Sequence, residues 1–396
     1  MTALIEMGCY DINKRDTGGS TPLAWAARNG HEKVVKMLLR QREVDPNQRD
    51  YWGMTPLSHA AFEGHGEVVK MLLEHPGVYP DEPDGNRQTP LSYAAEGGHG
   101  VVVKILLDLA GVSPDKPAEF GRTPLVYAAE GGHEEVVKIL LGREEVHPDT
   151  PDRGGKTPLS HAASGGHEGI VKILLGRGEV SPDKPGINGR TPLSWAASSL
   201  SSSCEEVVKM LLGREEVDPD RPDYWGATPL SHAVQGAMEG VVKIILERDE
   251  VNPDKPDGCG QTPLSHAASG GHEEIVKILL GRGEVSPDKP DNQGRTPLSL
   301  AASRLSSSCE EVVKVLLSQE GVSLDKLDNN GRTPFWHAAW NGSDGALKLL
   351  LKRGGINPNK PDRYNQTPLM SPRPWDPKLV ALLQSHEAET PAQLEA

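Results

Sequence analysis

Histidines and aspartates are the side chains here best suited to chemistry, and their spacing says what they can do. His31, His65, His99, His133, His167 and His272 form one set, and His59, His161, His232, His266 and His337 a second. Imidazole is a common zinc ligand, so a tight cluster would point to a metal centre. Within each set, however, neighbours stand 34 residues or more apart. Pairs across the sets, such as His59 and His65, are six apart and do not share a helical face. The aspartates lie in proline-rich runs such as Asp218-Pro-Asp220-Arg-Pro-Asp223, with neither the D-x-D-x-D-G spacing nor the distant Glu of a calcium loop. These runs read as extended, solvated arms. The chain has no nucleophile elbow, no GxxxxGK[ST] and no HExxH. No catalytic, cofactor-binding or metal-ligating residue is expected, and no enzyme.

What positions these side chains is a repeat. Thr-Pro occurs at Thr21, Thr55, Thr89, Thr123, Thr157, Thr191, Thr228, Thr262, Thr296, Thr333 and Thr367, at intervals of 34 with two of 37. A period in this range means stacked supersecondary units. Residues 260–293, GQTPLSHAASGGHEEIVKILLGRGEVSPDKPDNQ, serve as the template. Thr262 can cap a helix and Pro263 suits its first position. Leu264, Ala267 and Ala268 recur at i, i+3 and i+4, giving one apolar face of small residues. Gly270 and Gly271 stop that helix. A second helix runs from His272 to about Gly281, apolar at Ile275, Val276, Ile278, Leu279 and Leu280, with Glu273 and Lys277 as an i,i+4 pair on its wet side. Val285-Ser-Pro-Asp-Lys-Pro-Asp is too rich in proline for helix or central strand. Asp291-Asn-Gln-Gly294 is a turn. One helix pair cannot bury its own apolar faces, but stacked neighbours bury them for one another.

TPLSHAASGGHEEIVKILL resembles the ankyrin repeat, whose pattern is close to G-x-TPLHxAAxxGHxxVVxLLL, and the likeness runs over residues 15 to 385. The V-D-P-D-x-x-D arms and the TPLSWAA wording are similar to arrays common in filamentous fungi. One departure is consistent: Ser follows TPL where the family has His, and His, Tyr or Trp often comes one residue later. The resemblance implies an all-α solenoid of paired antiparallel helices with projecting hairpin-like loops, about ten full units with degenerate end caps. It also implies a protein-binding scaffold that uses its concave face and loop tips. A second implication is a sensor array derived from a fungal multidomain nucleotide-binding switch protein.

The bulk numbers agree with a repeat. Gly and Pro are numerous, at 43 and 33, but recur at fixed places as punctuation. A net charge of −14 disfavours nucleic acid and anionic membrane as partners. No apolar run approaches the roughly 18 residues of a membrane span, and MTALIEMGCY lacks the form of a signal peptide. Cys9, Cys204, Cys259 and Cys309 are scattered, and Cys204 and Cys309 fall three units apart, beyond disulfide reach. A cytoplasmic or nuclear setting and a monomer are expected.

Along the chain, residues 1–16 read as a partial capping unit and 17–385 as the array. Its last unit, about 361–385, reads as a degenerate cap, because Pro372 and Pro374 interrupt the first helix before a short helix Lys378 to Gln384. Residues 386–396 read as a disordered tail. Two insertions, Ser198 to Cys204 and Ser303 to Cys309, add three residues between helices and read as longer polar turns. They belong to a block copied at an offset of 105 residues. Frame residues specify the fold, so partner choice is expected from what varies on the tips and first-helix ends. The candidates are Tyr51, Trp52, Phe62, Phe120, Arg153, Tyr224, Trp225, Trp340 and Tyr364.

Overall fold

The computed structural model describes residues 11–370 and 377–385. Among them every regular element is a helix. Most of the expected N-terminal cap, the interrupting Pro372 and Pro374, and the tail 386–396 lie outside the described residues. The chain divides into two compact units, Met1–Pro192 and Leu193–Ala396.

In the first unit the pairs are Pro22–Arg28 with Glu32–Leu39, Pro56–Phe62 with Gly66–Leu73, Pro90–Glu96 with Gly100–Leu107, Pro124–Glu130 with Glu134–Leu140, and Pro158–Gly165 with Glu168–Leu175. Pro192–Ala197 spans the division. The second unit continues with Cys204–Leu212, then Pro229–Gln235 with Glu239–Leu246, Pro263–Gly270 with Glu273–Leu280, Pro297–Ala302 with Ser307–Ser318, and Pro334–Asn341 with Asp344–Arg353. The last Thr-Pro leads only a single 3-10 turn, Pro368–Met370, before the closing helix Pro377–Ser385. Within each unit, first helices stack on first helices and second on second.

Local chemistry explains each boundary. Thr262 Oγ1 accepts the Ser265 amide at 3.2 Å, which satisfies one orphan donor of the helix start, and Thr55, Thr89 and Thr157 repeat the bond. The Ser after TPL turns its hydroxyl back to the capping Thr, at 3.2 Å for Ser265 and Thr262. Gly271 ends its helix in the left-handed region at φ 72°. Leu264, Ala267, Ala268, Val276 and Leu279 are fully buried. Each Leu or Val buried this way contributes roughly 1.5–3 kcal/mol, and the alanines let helix axes approach.

The arms differ from the expectation of extended, solvated chain. They fold into tight turns, and their aspartates reach across layers. Lys116 donates to the Asp81 carboxylate at 2.8 Å and to its carbonyl at 2.9 Å, and Lys184–Asp149 and Lys255–Asp220 repeat the arrangement. Burial raises the Asp254 carboxyl above its ordinary range, opposed by the Lys289 charge. The aspartates are therefore structural staples between successive arms.

The serine insertions also depart from a uniform polar turn. In the first, Ser199 Oγ accepts the Ser201 amide at 3.2 Å and the helix waits until Cys204. In the second, Arg304 stands where Ser199 does in the first and has no acceptor to offer. Ser306 takes the capping role, accepting from the Ser308 amide at 3.2 Å, and the helix starts at Ser307.

Candidate functional site

A polar pin, buried in most units, shapes most of the tips, and only Ala118 and Gly186 replace its aspartate among the described units. Asp50 Oδ1 accepts the amides of Trp52 at 3.0 Å and Met54 at 2.9 Å, closing the turn. Its Oδ2 accepts from His59 Nε2 at 2.9 Å. The same pin joins His161 to Asp152, His232 to Asp223, His266 to Asp257 and His337 to Asp328 at 2.8–3.0 Å. Tyr93 donates its hydroxyl to Asp84 at 2.7 Å, and the Trp25 indole donates to Asp16 at 2.6 Å. Where Leu300 offers no donor, Arg295 bonds Asp291 instead. Thus the residue one place after the family's usual histidine carries a loop-locking bond. Burial holds His59 below its ordinary pKa, against the pull of Asp50. Burial, then the bond to Asp84, pushes the Tyr93 phenol far up.

Turn histidines do a different job. Nε2 of His65, His99, His133 and His167 donates to the carbonyl of Arg28, Phe62, Glu96 and Glu130 at 2.8–3.0 Å. Each ring covers the end of the preceding unit's first helix, where free carbonyls need donors. No group of three or more His, Cys, Asp or Glu among the described residues is placed to hold a metal ion.

The tips throw their apex residues outward. Tyr51 and Trp52 are 69% and 63% exposed, Tyr224 and Trp225 77% and 65%. Arg153, Phe120 and Tyr364 are exposed as well. Tyr51 lies against Gly19, where an added Cβ would stand 2.8 Å from its ring, so the neighbouring tip must be glycine for that contact. Backbone bonds stitch tip to tip: Tyr51 N to Gly18 O at 3.1 Å, Gly85 N to Trp52 O at 3.2 Å and Arg153 N to Phe120 O at 2.6 Å. The second unit repeats this with Gly258 N to Trp225 O at 2.6 Å and Arg363 N to Asn330 O at 2.9 Å.

Two of the sequence candidates meet. Trp52 and Phe62 line one groove of about 250 Å³ with Met54, His59, Tyr93, Arg28 and Glu63. Phe62 meets Tyr93 edge-on, with centroids 5.7 Å apart and planes at 84°. Phe120 and Arg153 occupy successive tips of the same unit. In the second unit, Trp340 stacks on buried Trp336 at 4.8 Å, and the Arg332 guanidinium lies 3.9 Å over the Trp336 ring. Tyr224 and Trp225 share one tip, and Tyr364 occupies another. Sequence reasoning missed Tyr93, Met54 and Arg28, which stand in frame positions that elsewhere hold His, Gln or Glu. It also missed Leu200 and Leu305, 85% and 72% exposed in the serine insertions. Their being leucine inside a polar, out-of-frame run was the available signal.

Repeated helix pairs, interlayer histidines and stitched tips define a helical-repeat array with its variable side chains on the tips and first-helix ends. A family model described as ankyrin repeats in three copies matches residues 1–84, 76–152, 109–184, 144–223, 178–257, 230–326 and 306–392. The chain belongs to the ankyrin repeat family, whose members generally act as protein–protein interaction modules. No curated protein matches it in a sequence search. Among the described residues no helix is long and apolar enough to cross a membrane.

Proposed function

We propose that this chain is a non-catalytic recognition scaffold that binds a protein partner through its tip residues and first-helix ends. The observation that carries the proposal is the convergence of Trp52 and Phe62 with Arg28 and Tyr93, residues of three successive first helices and one tip, into one apolar groove. Large exposed aromatics are preferred interface anchors, and the frame around them is rigidly pinned. Residues 17–385 act as the array in this reading, with 1–16 and 361–385 as its caps, in a reducing cytoplasmic setting. The test is affinity capture from native extract with wild type and a variant carrying Tyr51→Ala, Trp52→Ala, Tyr224→Ala and Trp225→Ala. Loss of specific partners is expected. Identical partner sets would remove the tips from the binding surface.

A further inference from the structure

The groove in the first unit constrains what can occupy it. Its volume of about 250 Å³ falls below the roughly 300–1,000 Å³ of small-molecule sites, so it suits a side chain better than a metabolite. Trp52, Met54, Phe62 and Tyr93 give it an apolar lining, and Arg28 and Glu63 stand at its rim. Phe62 is 39% exposed although it lies at a helix end in a stacked array.

Position by position, the groove is an apolar island in a charged row. The residue that ends the first helix is Arg28 in one layer, Phe62 in the next, then Glu96 and Glu130. Glu130 is already held by Arg122 at 2.8 Å. The Glu96 carboxylate is exposed and accepts from the neutral Gln88 amide, which leaves its negative charge facing outward. Glu63, at the rim, lies 3.6 Å from Arg28. Positive charge on a ligand is therefore favoured on the Glu96 side of the groove, while Arg28 and Glu63 largely offset each other on the other side.

Layers about 10 Å apart match three residues of extended chain at about 3.3 Å each. We infer that the groove of Trp52, Phe62 and Tyr93 binds an extended peptide that inserts one large aliphatic or aromatic side chain and places a lysine or arginine three residues away, over Glu96. This inference rests on the protein-recognition reading and specifies its ligand.

The test is selection of a random peptide library on the purified full-length chain, followed by affinity measurement on the winners. Enrichment of a bulky apolar residue three positions from Lys or Arg is expected. Phe62→Ala and Trp52→Ala should each weaken those peptides about tenfold or more, Glu96→Lys should weaken them and turn the preference to acidic residues, and Trp225→Ala should leave them unchanged. Glu96 is a surface residue, so its variant stays folded even if Phe62→Ala does not, and circular dichroism checks both. Acidic winners, or affinity unmoved by Glu96→Lys and Trp52→Ala, would overturn the inference. Winners that depend on Trp225 instead would overturn it while leaving protein recognition standing.

Discussion

Replacing Ala237 with glycine should stabilise this fold. Ala237 stands where other units hold a glycine just before the second helix, in the left-handed region at φ 57°. Gly30 and Gly132 adopt φ 68° and 76° there, and a Cβ on either would lie 2.7 Å from the ring of the next unit's histidine, His65 or His167. Ala237 carries that Cβ. The same 35-residue step puts His272 opposite it, and among the described residues His272 makes no counterpart of the ring-to-carbonyl bond seen at 3.0 Å from His65 to Arg28. Burial is the one cause that lowers its pKa. Ala237→Gly should relieve about 1 kcal/mol of backbone strain and restore a hydrogen bond worth about 1 kcal/mol. Against this stands about 0.4–1 kcal/mol for the added freedom of glycine in the unfolded chain. Because Ala237 is exposed, its methyl contributes little packing. The net gain is about 1 kcal/mol, or about fivefold slower local opening. Hydrogen exchange of peptides covering 237–281 reads that opening directly, which suits an array whose unfolding need not be two-state. A double-mutant cycle with His272→Ala should show coupling of about 0.5–1 kcal/mol. Unchanged or faster exchange, or zero coupling, would refute the displaced-histidine account.

Other expectations follow from the same geometry. His59 is held below its ordinary value, so the unfolded chain takes up the proton first as pH falls below about 6.5, and stability declines there. Urea midpoints at about pH 5.5 should be lower than at about pH 7.5, and His59→Gln should remove part of the difference; an unchanged difference would count against the buried pin. Thr262→Ala should cost about 1 kcal/mol locally by unsatisfying the Ser265 amide, with Thr262→Ser nearly neutral, read by exchange across 262–270. Burial raises the Cys204 and Cys309 thiols while Cys259 is exposed, so a thiol-alkylating reagent should reach Cys259 before either of them by peptide mass spectrometry. Equal labelling of Cys309 would contradict its buried position. Deleting residues 89–122, one whole period, should leave a shorter folded array by circular dichroism, and global unfolding would contradict nearest-neighbour stacking.

The sequence by itself determined the elements. Thr262-Pro263 marks a helix start, Gly271 a stop and Leu264, Ala267 and Ala268 a buried face, because each is a local property of backbone and periodicity. It also separated frame from variation, and so picked out Trp52 and Phe62. Only the tertiary structure decided what the polar side chains do. The histidines after TPLS pair with aspartates nine residues earlier, and the turn histidines reach carbonyls 37 residues back. The arm aspartates meet lysines 35 residues on. The last two kinds of partner are chosen by how one layer lies on the next, which no local pattern encodes. The two serine insertions, by contrast, start their helices at different points because of one letter, Arg304 where the other has Ser199. The groove is likewise a property of stacking: Arg28, Phe62 and Tyr93 come from three successive first helices and share a surface only once those helices pack.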